Sequence, residues 1–195
     1  MNEILYDNVL PDIKIIGRAF DLCPLDKLRV VIVGQDPYPQ KGYATGLAFA
    51  NPKDTITLSP SLKLIKNRIE NDFTHLYPQS TTFDITLESW ANQGILLLNS
   101  ALTVLVNKPG SHSIIWYPLI STLLSRLSQR GNLIFLLFGS TAKSMQNLLY
   151  RKNNHIFAYN HPAYYARVGQ EFICGGFLKT KAILQQNGQD IHFLN

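Results

Sequence analysis

Four short runs of apolar residues constrain the fold of this chain more than any other feature. The runs are RVVIV (29–33), GILLLN (94–99), NLIFLLF (132–138) and HIFAY (155–159). Each run is continuous rather than alternating, which is typical of strands buried on both faces of a parallel sheet covered by helices. The runs therefore predict a central, mainly parallel four-stranded sheet.

Segments with helical character separate these runs. The segments are 59–72, 116–131, 140–152 and 175–188. The first begins with serines and a proline and places Leu62, Ile65 and Ile69 on one face, and the third begins at Ser140, a residue type that caps helices. Because strands and helices alternate, we expect an α/β fold with helices on both faces of the sheet.

The chain shows no internal repeat, low-complexity tract or linker, so we expect one domain over residues 1–195. Its length of 195 residues, 46% of them hydrophobic, is enough for a single well-buried core. The net charge of +5 and the pI near 9.2 suit an anionic partner. Charge alone does not identify that partner.

Several features bear on where the protein works. Cys23 and Cys174 are isolated and are interpreted as reduced, buried side chains of an intracellular protein. The first residues carry acids and break at Pro11, unlike a signal peptide. The longest apolar runs are far shorter than the roughly 20 residues of a membrane helix. We expect a soluble cytoplasmic protein without a membrane partner, or a nuclear one if the source is eukaryotic or viral.

Polar residues follow each of the four predicted strands. They are Gly34 to Pro39, Asn99 and Ser100, Gly139 and Ser140, and Asn160 to Pro162. Each group taken singly is ordinary turn chemistry. However, ligands of open parallel α/β sheets bind outside the carboxyl ends of the strands, and this edge would collect a carboxylate, an amide and an imidazole. The sequence therefore predicts a site at this edge.

Several common chemistries lack their sequence motifs. The glycines of GQDPYPQKGYATG have neither dinucleotide-binding nor Walker spacing, and no G-x-S-x-G elbow occurs. The five histidines are dispersed, and no H-E-x-x-H motif is present. The sequence thus disfavours a nucleotide cofactor, a serine triad and a metal centre.

A series of motifs in the chain resembles one enzyme family. The motifs are VVIVGQDPYP, GLAFA (46–50), SPSL (59–62), LESWANQGILLLNSALTV (87–104), SH (111–112), LLFGS (136–140) and HP (161–162). In this order they are similar to uracil-DNA glycosylases of the family-1 type, from about residue 22 to residue 180. The resemblance implies an enzyme that flips deoxyuridine out of DNA and hydrolyses its N-glycosidic bond, leaving an abasic site. It implies no metal and no organic cofactor.

The resemblance also assigns chemical roles to residues at the predicted edge. Asp36 matches the aspartate that activates water and stabilises the cationic sugar, and the backbone of Gln35 would help to hold that water. His161 matches the histidine directed at uracil O2. A neutral imidazole that donates a hydrogen bond there would stabilise the departing uracil anion.

Three further residues match the family's base-binding positions. Asn99 would accept from uracil N3–H and donate to O4, a pattern that cytosine reverses. Tyr38 would pack against C5 and exclude the methyl group of thymine. Phe49 would stack on the base, although its apolar surroundings alone favour a core residue.

Other matches concern the DNA backbone and the duplex. Ser61 and Ser140, the latter beside Gly139, match serines that hold phosphates at helix starts. The family's third serine is Ala163 here, so that one phosphate hydrogen bond is missing unless Tyr164 or Arg167 supplies it. Tyr165 falls where the family has an intercalating leucine, and an aromatic ring can stack in the gap left by a flipped base.

The chain departs from the commonest family pattern at several points. The stretch NHPAYYARVG (160–169) is interpreted as a loop that lacks the family's second proline and is more flexible for it. Pro39, Gly175 and Gly176 also replace family residues, and the segment before the first strand is short, so that amino-terminal helices would be absent or reduced. These changes predict an altered grip on DNA or a preference for single strands.

Two alternatives remain open from the sequence. The first is a glycosylase fold kept as a DNA-binding or replication-associated subunit with weak or no catalysis, and the second is a glycosylase of broader base specificity. The expected partner is uracil-containing DNA, single- or double-stranded. A proteinaceous inhibitor that mimics DNA is a further candidate partner, because it would contact the same loop. A monomer is the default expectation.

Overall fold

The four apolar runs form the central sheet, as the sequence predicts. The computed structural model describes residues 8–76 and 82–195. Its strands are β1 (Val9–Leu10), β2 (Val30–Gly34), β3 (Ile95–Asn99), β4 (Val104–Leu105), β5 (Ile134–Phe138) and β6 (His155–Tyr159). Strands β3, β2, β5 and β6 lie side by side in that order, and all neighbours are parallel. The expected α/β class with a four-stranded parallel sheet is confirmed.

Two features of the strands differ from the expectation. Strand β6 is not buried on both faces, since His155 and Ala158 are exposed; among the described residues it pairs with β5 alone. Strand β3, at the opposite edge, is fully buried. Strands β1 and β4 pair antiparallel as a separate small sheet that the sequence analysis missed. Each has two residues, too short to produce a periodic pattern.

The helices pack around this sheet. They are α1 (Arg18–Leu22), α2 (Pro60–Phe73), α3 (Glu88–Asn92), α4 (Ser113–Gln129), α5 (Ser140–Ser144), α6 (Pro162–Val168) and α7 (Gly176–Gln186), with 3-10 turns at Ile13–Ile15 and Met145–Leu148. The predicted helices at 59–72 and 175–188 agree with α2 and α7 within two residues at each end. Helix α4 begins three residues before the predicted start.

The predicted helix at 140–152 is only partly formed. The α-helical part ends at Ser144 and continues as a 3-10 turn to Leu148. Ser140 is the first helical residue, and Gly139 occupies the capping position, without a side-chain hydrogen bond. The chain then turns into β6, so the tertiary path shortens a segment whose local pattern favours a longer helix.

The stretch NHPAYYARVG is a helix rather than the expected loop. In α6, the His161 side chain accepts a hydrogen bond from the backbone N–H of Ala163, Pro162 occupies the first turn, and Gly169 ends the helix in the left-handed conformation. Proline just inside the start and glycine just past the end are a recognised helix signature. This signature was present in the sequence, and the expectation of a loop was wrong. The expected flexibility of the stretch stays a prediction.

The remaining expectations about the chain as a whole have mixed outcomes. Cys23 and Cys174 are free and buried, as predicted. In the two described ranges, no helix is both long and apolar enough to cross a membrane. The prediction about a signal peptide rests partly on residues 1–7, which lie outside the described residues. Between residues 8 and 29 the chain forms β1, a 3-10 turn and α1.

An aromatic cluster connects the core to the carboxyl edge of the sheet. The Trp90 ring lies 5.8 Å from that of Phe177, which lies 6.2 Å from that of Phe138 at the end of β5. The Phe138 ring in turn lies 5.6 Å from that of Phe49. Because core side chains are close-packed, these ring contacts support the carboxyl edge of the sheet from below.

Candidate active site

A cavity of about 370 Å³ opens at the carboxyl edge of the sheet. All the site residues proposed from the sequence line it except Gly139, Ser140 and Tyr165. The proposed site residues in its lining are Gln35, Asp36, Tyr38, Phe49, Ser61, Asn99, His161, Ala163, Tyr164 and Arg167. Residues that are far apart in sequence thus converge at the edge where ligands of parallel sheets bind.

Asp36 lies in the turn after β2 with its carboxylate partly buried. One oxygen accepts a hydrogen bond from the backbone N–H of Gly110, which is 74 residues away in the sequence. Burial raises the pKa of this carboxyl group, and the hydrogen bonds from Gly110 and from the backbone of Asp36 itself oppose the rise. The carboxylate also lines the cavity, where a water molecule can reach it. A desolvated carboxylate held in this way is a stronger base than an exposed one.

The tautomer of His161 follows from its hydrogen bond. Its Nδ1 lies 3.1 Å from the backbone nitrogen of Ala163, which can only donate, so Nδ1 is an acceptor and carries no proton. In the neutral ring the proton therefore resides on Nε2. Burial, assisted by the positive charge of Arg167, lowers the pKa of His161 from 6.5 to about 4. The ring is a neutral hydrogen-bond donor at physiological pH.

This pKa predicts the shape of the pH–rate profile. Since His161 titrates near pH 4, we expect no step in kcat/KM near pH 6.5, where an ordinary histidine titrates. The acidic limb should come from protonation of Asp36, whose pKa is raised above its usual value. Initial rates at constant ionic strength, together with an NMR titration of the His161 ring, measure both quantities. An imidazole midpoint near 6.5 would contradict the neutral-donor assignment.

Asn99 presents its side-chain amide to the cavity. It is the last residue of β3, and its side chain is among the buried polar groups, with 8% exposure. Across residues 8–76 and 82–195, its side-chain amide makes no hydrogen bond to protein. The amide lines the cavity, so it can bind a ligand that offers both a donor and an acceptor.

Phe49 and Tyr38 form the apolar walls of the cavity. The Phe49 ring lies 5.4 Å from the His161 ring, and its backbone adopts a left-handed conformation with φ 67°. A bulky residue rarely adopts this conformation, and such strain is concentrated at functional sites. The Tyr38 hydroxyl donates a hydrogen bond to the carbonyl of Phe49 at 2.9 Å, and burial raises the pKa of this hydroxyl. Phe49 is therefore both part of the core and part of the cavity wall.

The proposed phosphate-binding residues surround the cavity at two helix starts. Ser61 is the second residue of α2 and lines the cavity, while Ser140 begins α5 and is exposed beside it. Gly139 lies close to His161, because a Cβ added there would lie 3.2 Å from the Cβ of His161. A side chain at this position would therefore press on the imidazole.

The two tyrosines of α6 have different surroundings. Tyr164 is 43% exposed and lines the cavity together with Ala163 and Arg167. Tyr165 is partly buried, packs against the hydrophobic core and has its ring 5.5 Å from that of Phe172. The suggestion that Tyr165 enters DNA stays a prediction. Its packing does not favour that role, because the helix turns this side chain inward.

Sequence reasoning missed several groups that shape the site. The carbonyl of Gln35 already accepts hydrogen bonds from the hydroxyl of Ser100 at 2.6 Å and from the N–H of Ala101 at 2.9 Å. It is thus a poor additional acceptor for water. Gly110, which holds Asp36, directly precedes the SH pair of the family motifs. That adjacency was the only sequence signal for its position.

Comparison with known proteins identifies the family. The model of the "Uracil DNA glycosylase superfamily" matches residues 20–185, which is most of the chain. The chain belongs to the uracil-DNA glycosylase superfamily. The match includes all the site residues described above.

Curated bacterial members of this superfamily are similar over nearly the whole chain. A uracil-DNA glycosylase of Buchnera aphidicola is 40% identical over 186 residues, covering 93% of this chain and 82% of the relative. One from Campylobacter jejuni is 38% identical over 191 residues, covering 96% of this chain and 78% of the relative. Identity at this level and coverage indicates a shared fold throughout.

Solved structures of superfamily members have the same fold. The uracil-DNA glycosylase of mimivirus aligns with a TM-score of 0.81 at 24% identity, covering 95% of this chain and 74% of the other. A variant of the mimivirus enzyme solved in complex with UGI aligns equally well, at 23% identity, covering 95% of this chain and 75% of the other.

Proposed function

We propose that this protein removes uracil from DNA by hydrolysing the N-glycosidic bond, releasing the free base and leaving an abasic site. The observation that carries the proposal is the amide of Asn99, which makes no hydrogen bond to the described residues and lines the same cavity as Asp36 and the neutral donor His161. We further propose that the chain is of the family-1 type, as its motifs indicate. The names of the curated relatives support the same reaction.

The amide of Asn99 reads the base. Uracil offers a donor at N3 and an acceptor at O4, so its edge matches the amide oxygen and the amide N–H, respectively. Cytosine reverses both groups and would leave two buried polar atoms without partners. A site built to hydrogen-bond one pattern rejects the other by a large factor. The base stacks on Phe49, and Tyr38 lies against its C5 edge.

The bond-breaking step is dominated by charge. As the glycosidic bond breaks, uracil takes the bonding electron pair, and Nε2–H of His161 stabilises the resulting anion at O2. The carboxylate of Asp36 stabilises the cationic sugar and accepts a proton from water, whose oxygen bonds to C1′. The product is a hydroxyl at C1′. This step requires only the chain's own side chains and one water molecule.

DNA is held at the rim of the cavity. Ser61 and Ser140, with the N–H groups around them and the Gly139 backbone, are suited to phosphate oxygens. Ala163 offers no hydroxyl, and Arg167 on the same helix supplies a positive charge. The proposal includes single- and double-stranded DNA as substrates. A DNA-mimicking inhibitor is also proposed as a partner, and the complex of the mimivirus enzyme with UGI supports this part of the proposal. The proposed working form is a monomer.

Within α6, we propose Tyr164 rather than Tyr165 as the side chain that enters the duplex. Replacing Tyr164 by Ala should lower kcat/KM on double-stranded uracil DNA by about tenfold relative to single strands, since base–aromatic stacking contributes about 1–3 kcal/mol. Replacing Tyr165 by Ala should instead destabilise the fold by about 2 kcal/mol, because its ring packs against Phe172 and the core. Paired single-turnover assays and thermal melts measure both effects. If Tyr165→Ala lowers activity selectively on duplex DNA while Tyr164→Ala has no effect, Tyr165 is the side chain that enters the duplex.

The reaction itself has a direct test. Purified protein is incubated with a labelled oligonucleotide that contains one uracil, and alkali then cuts the strand at any abasic site. Matched oligonucleotides with cytosine or thymine at the same position should remain intact. If uracil DNA is not cut above the level of the Asp36→Asn variant, the protein is a DNA-binding module rather than an enzyme.

A further inference from the structure

A buried serine outside the described catalytic set is bonded to the wall of the cavity. The hydroxyl of Ser59, a residue with 4% exposure, lies 2.7 Å from the hydroxyl of Tyr38. The Tyr38 hydroxyl lies 2.9 Å from the carbonyl of Phe49. A carbonyl has no proton to give, so the direction of both hydrogen bonds is fixed. Ser59 donates to Tyr38, and Tyr38 donates to the carbonyl of Phe49.

Ser59 is in a position where serine ordinarily has another task. It is the residue that precedes helix α2, and serine there usually accepts a hydrogen bond from a backbone N–H of the first turn. In this protein Ser59 makes no such capping bond. Its hydroxyl is directed at Tyr38 instead, so the helix start forgoes a stabilising contact that its sequence could have made.

The backbone around Ser59 is fixed. Its N–H donates to the side-chain oxygen of Asn51 at 2.8 Å, and Asn51 is fully buried. Its carbonyl accepts from the N–H of Lys63. Because the backbone of Ser59 is held on both sides, its Cβ has a fixed position, and the hydroxyl attached to it can hold Tyr38 in place.

The backbone of Phe49, which accepts the second of these hydrogen bonds, is strained. Phe49 has a φ of 67°, and a bulky side chain keeps such a conformation only where the surrounding contacts enforce it. The Tyr38 hydroxyl supplies one of those contacts. The Tyr38 ring also meets the Tyr43 ring edge-on, with the ring centroids 6.3 Å apart. The orientation of the Tyr38 ring is therefore set at its hydroxyl end and at its edge.

We propose that Ser59 is a positioning residue for base discrimination, which holds the ring of Tyr38 against the C5 edge of the base and so excludes a 5-methyl group. This inference rests on the proposed function. Without the serine hydroxyl, Tyr38 keeps one hydrogen bond and gains freedom to swing away from C5. A base with a methyl-sized group at C5 would then be admitted.

The test measures a ratio of substrates. Oligonucleotides carrying uracil or 5-bromouracil are compared by kcat/KM, because bromine is similar in size to methyl and makes the base a better leaving group than thymine. In Ser59→Ala we expect the preference for uracil to fall by about fivefold, the value of one typical hydrogen bond. Ser59→Thr keeps a hydroxyl and should restore the preference. Intrinsic differences between the leaving groups cancel when variants are compared with the wild type.

Two controls separate positioning from general stability. Ser128 is another fully buried serine whose hydroxyl is hydrogen-bonded, at the end of α4 and away from the cavity. Ser128→Ala should lower Tm without changing the ratio. In a Tyr38→Phe background Ser59 has no tyrosine hydroxyl to bond, so Ser59→Ala should cause no further loss of the preference for uracil.

The outcomes are distinct for the two proposals. An unchanged ratio in Ser59→Ala, or an equal fall in both Tyr38 backgrounds, would overturn the role of Ser59. If the wild type releases no uracil at all, the proposed function fails. The role of Ser59 is then decided by the binding of free uracil and free 5-bromouracil to the same variants, measured by calorimetry, where the same fivefold change in preference is expected or refuted.

Discussion

Replacing Asp36 by Asn is expected to lower kcat/KM for uracil release by roughly 10²- to 10⁴-fold, the range associated with removal of a general base. Asparagine keeps an oxygen that can accept the hydrogen bond from Gly110, but it cannot take a proton from water or neutralise a cationic sugar. Single-turnover release of uracil from a labelled strand, with enzyme in excess, measures the chemical step.

The same variant should not be less stable than the wild type. Burial raises the pKa of Asp36, which means that the folded state favours the neutral form and that the ionised carboxylate costs stability at neutral pH. Asparagine removes that charge, so Tm should stay constant or rise while activity falls. A large fall in Tm, or activity within a few-fold of the wild type, would show that Asp36 is structural. The matched control is Asp54→Asn, the same substitution at an exposed aspartate, which should leave both activity and Tm unchanged.

Replacing Gly34 by Ala is expected to lower activity by about 10²-fold, although Gly34 has no functional group. A Cβ at this position would lie 2.6 Å from the amide oxygen of Asn99 and 3.2 Å from the Phe49 ring. Both side chains must then move, and displacement of a positioned group by about 1 Å costs roughly 10²-fold in rate. Both kcat/KM on uracil DNA and the affinity for free uracil should fall.

The control for this change is Gly17→Ala. Among residues 8–76 and 82–195, apart from the immediate chain neighbours, no heavy atom lies within 4 Å of a Cβ built on Gly17, so the same substitution there should leave kinetics unaltered. The Gly34 variant should stay folded, since the atoms its methyl group meets are the ends of side chains beside a cavity. Wild-type activity in Gly34→Ala would mean that the base is not read at the position of the Asn99 amide.

The parts of the fold that were predictable are those with a local physical cause. Continuous apolar runs must be buried, and successive parallel strands bring their carboxyl ends to one edge, so Asp36, Asn99 and His161 were expected to meet there. They do line one cavity. Helix α2 was equally visible, because its proline start and apolar spacing are local signals.

The errors concern segments whose local signals are short or compete. Helix α6 has seven residues and packs against α2, so its formation depends on tertiary contacts that periodicity does not report. Its proline and glycine boundaries were nevertheless readable. Strand β6 resembles the buried runs in composition, yet two of its residues are exposed, because composition does not encode which elements cover a strand.

The sequence by itself determined the set of groups at the site and the sheet that gathers them, because hydrophobic periodicity and residue type are properties of the chain. Only the tertiary structure decided how those groups are used. It alone shows that His161 Nδ1 is an acceptor, that the Asn99 amide lacks a partner among the described residues, and that Ser59 is bonded to Tyr38 rather than to its helix. Hydrogen-bond direction and side-chain burial depend on partners from distant parts of the chain, and no local pattern specifies them.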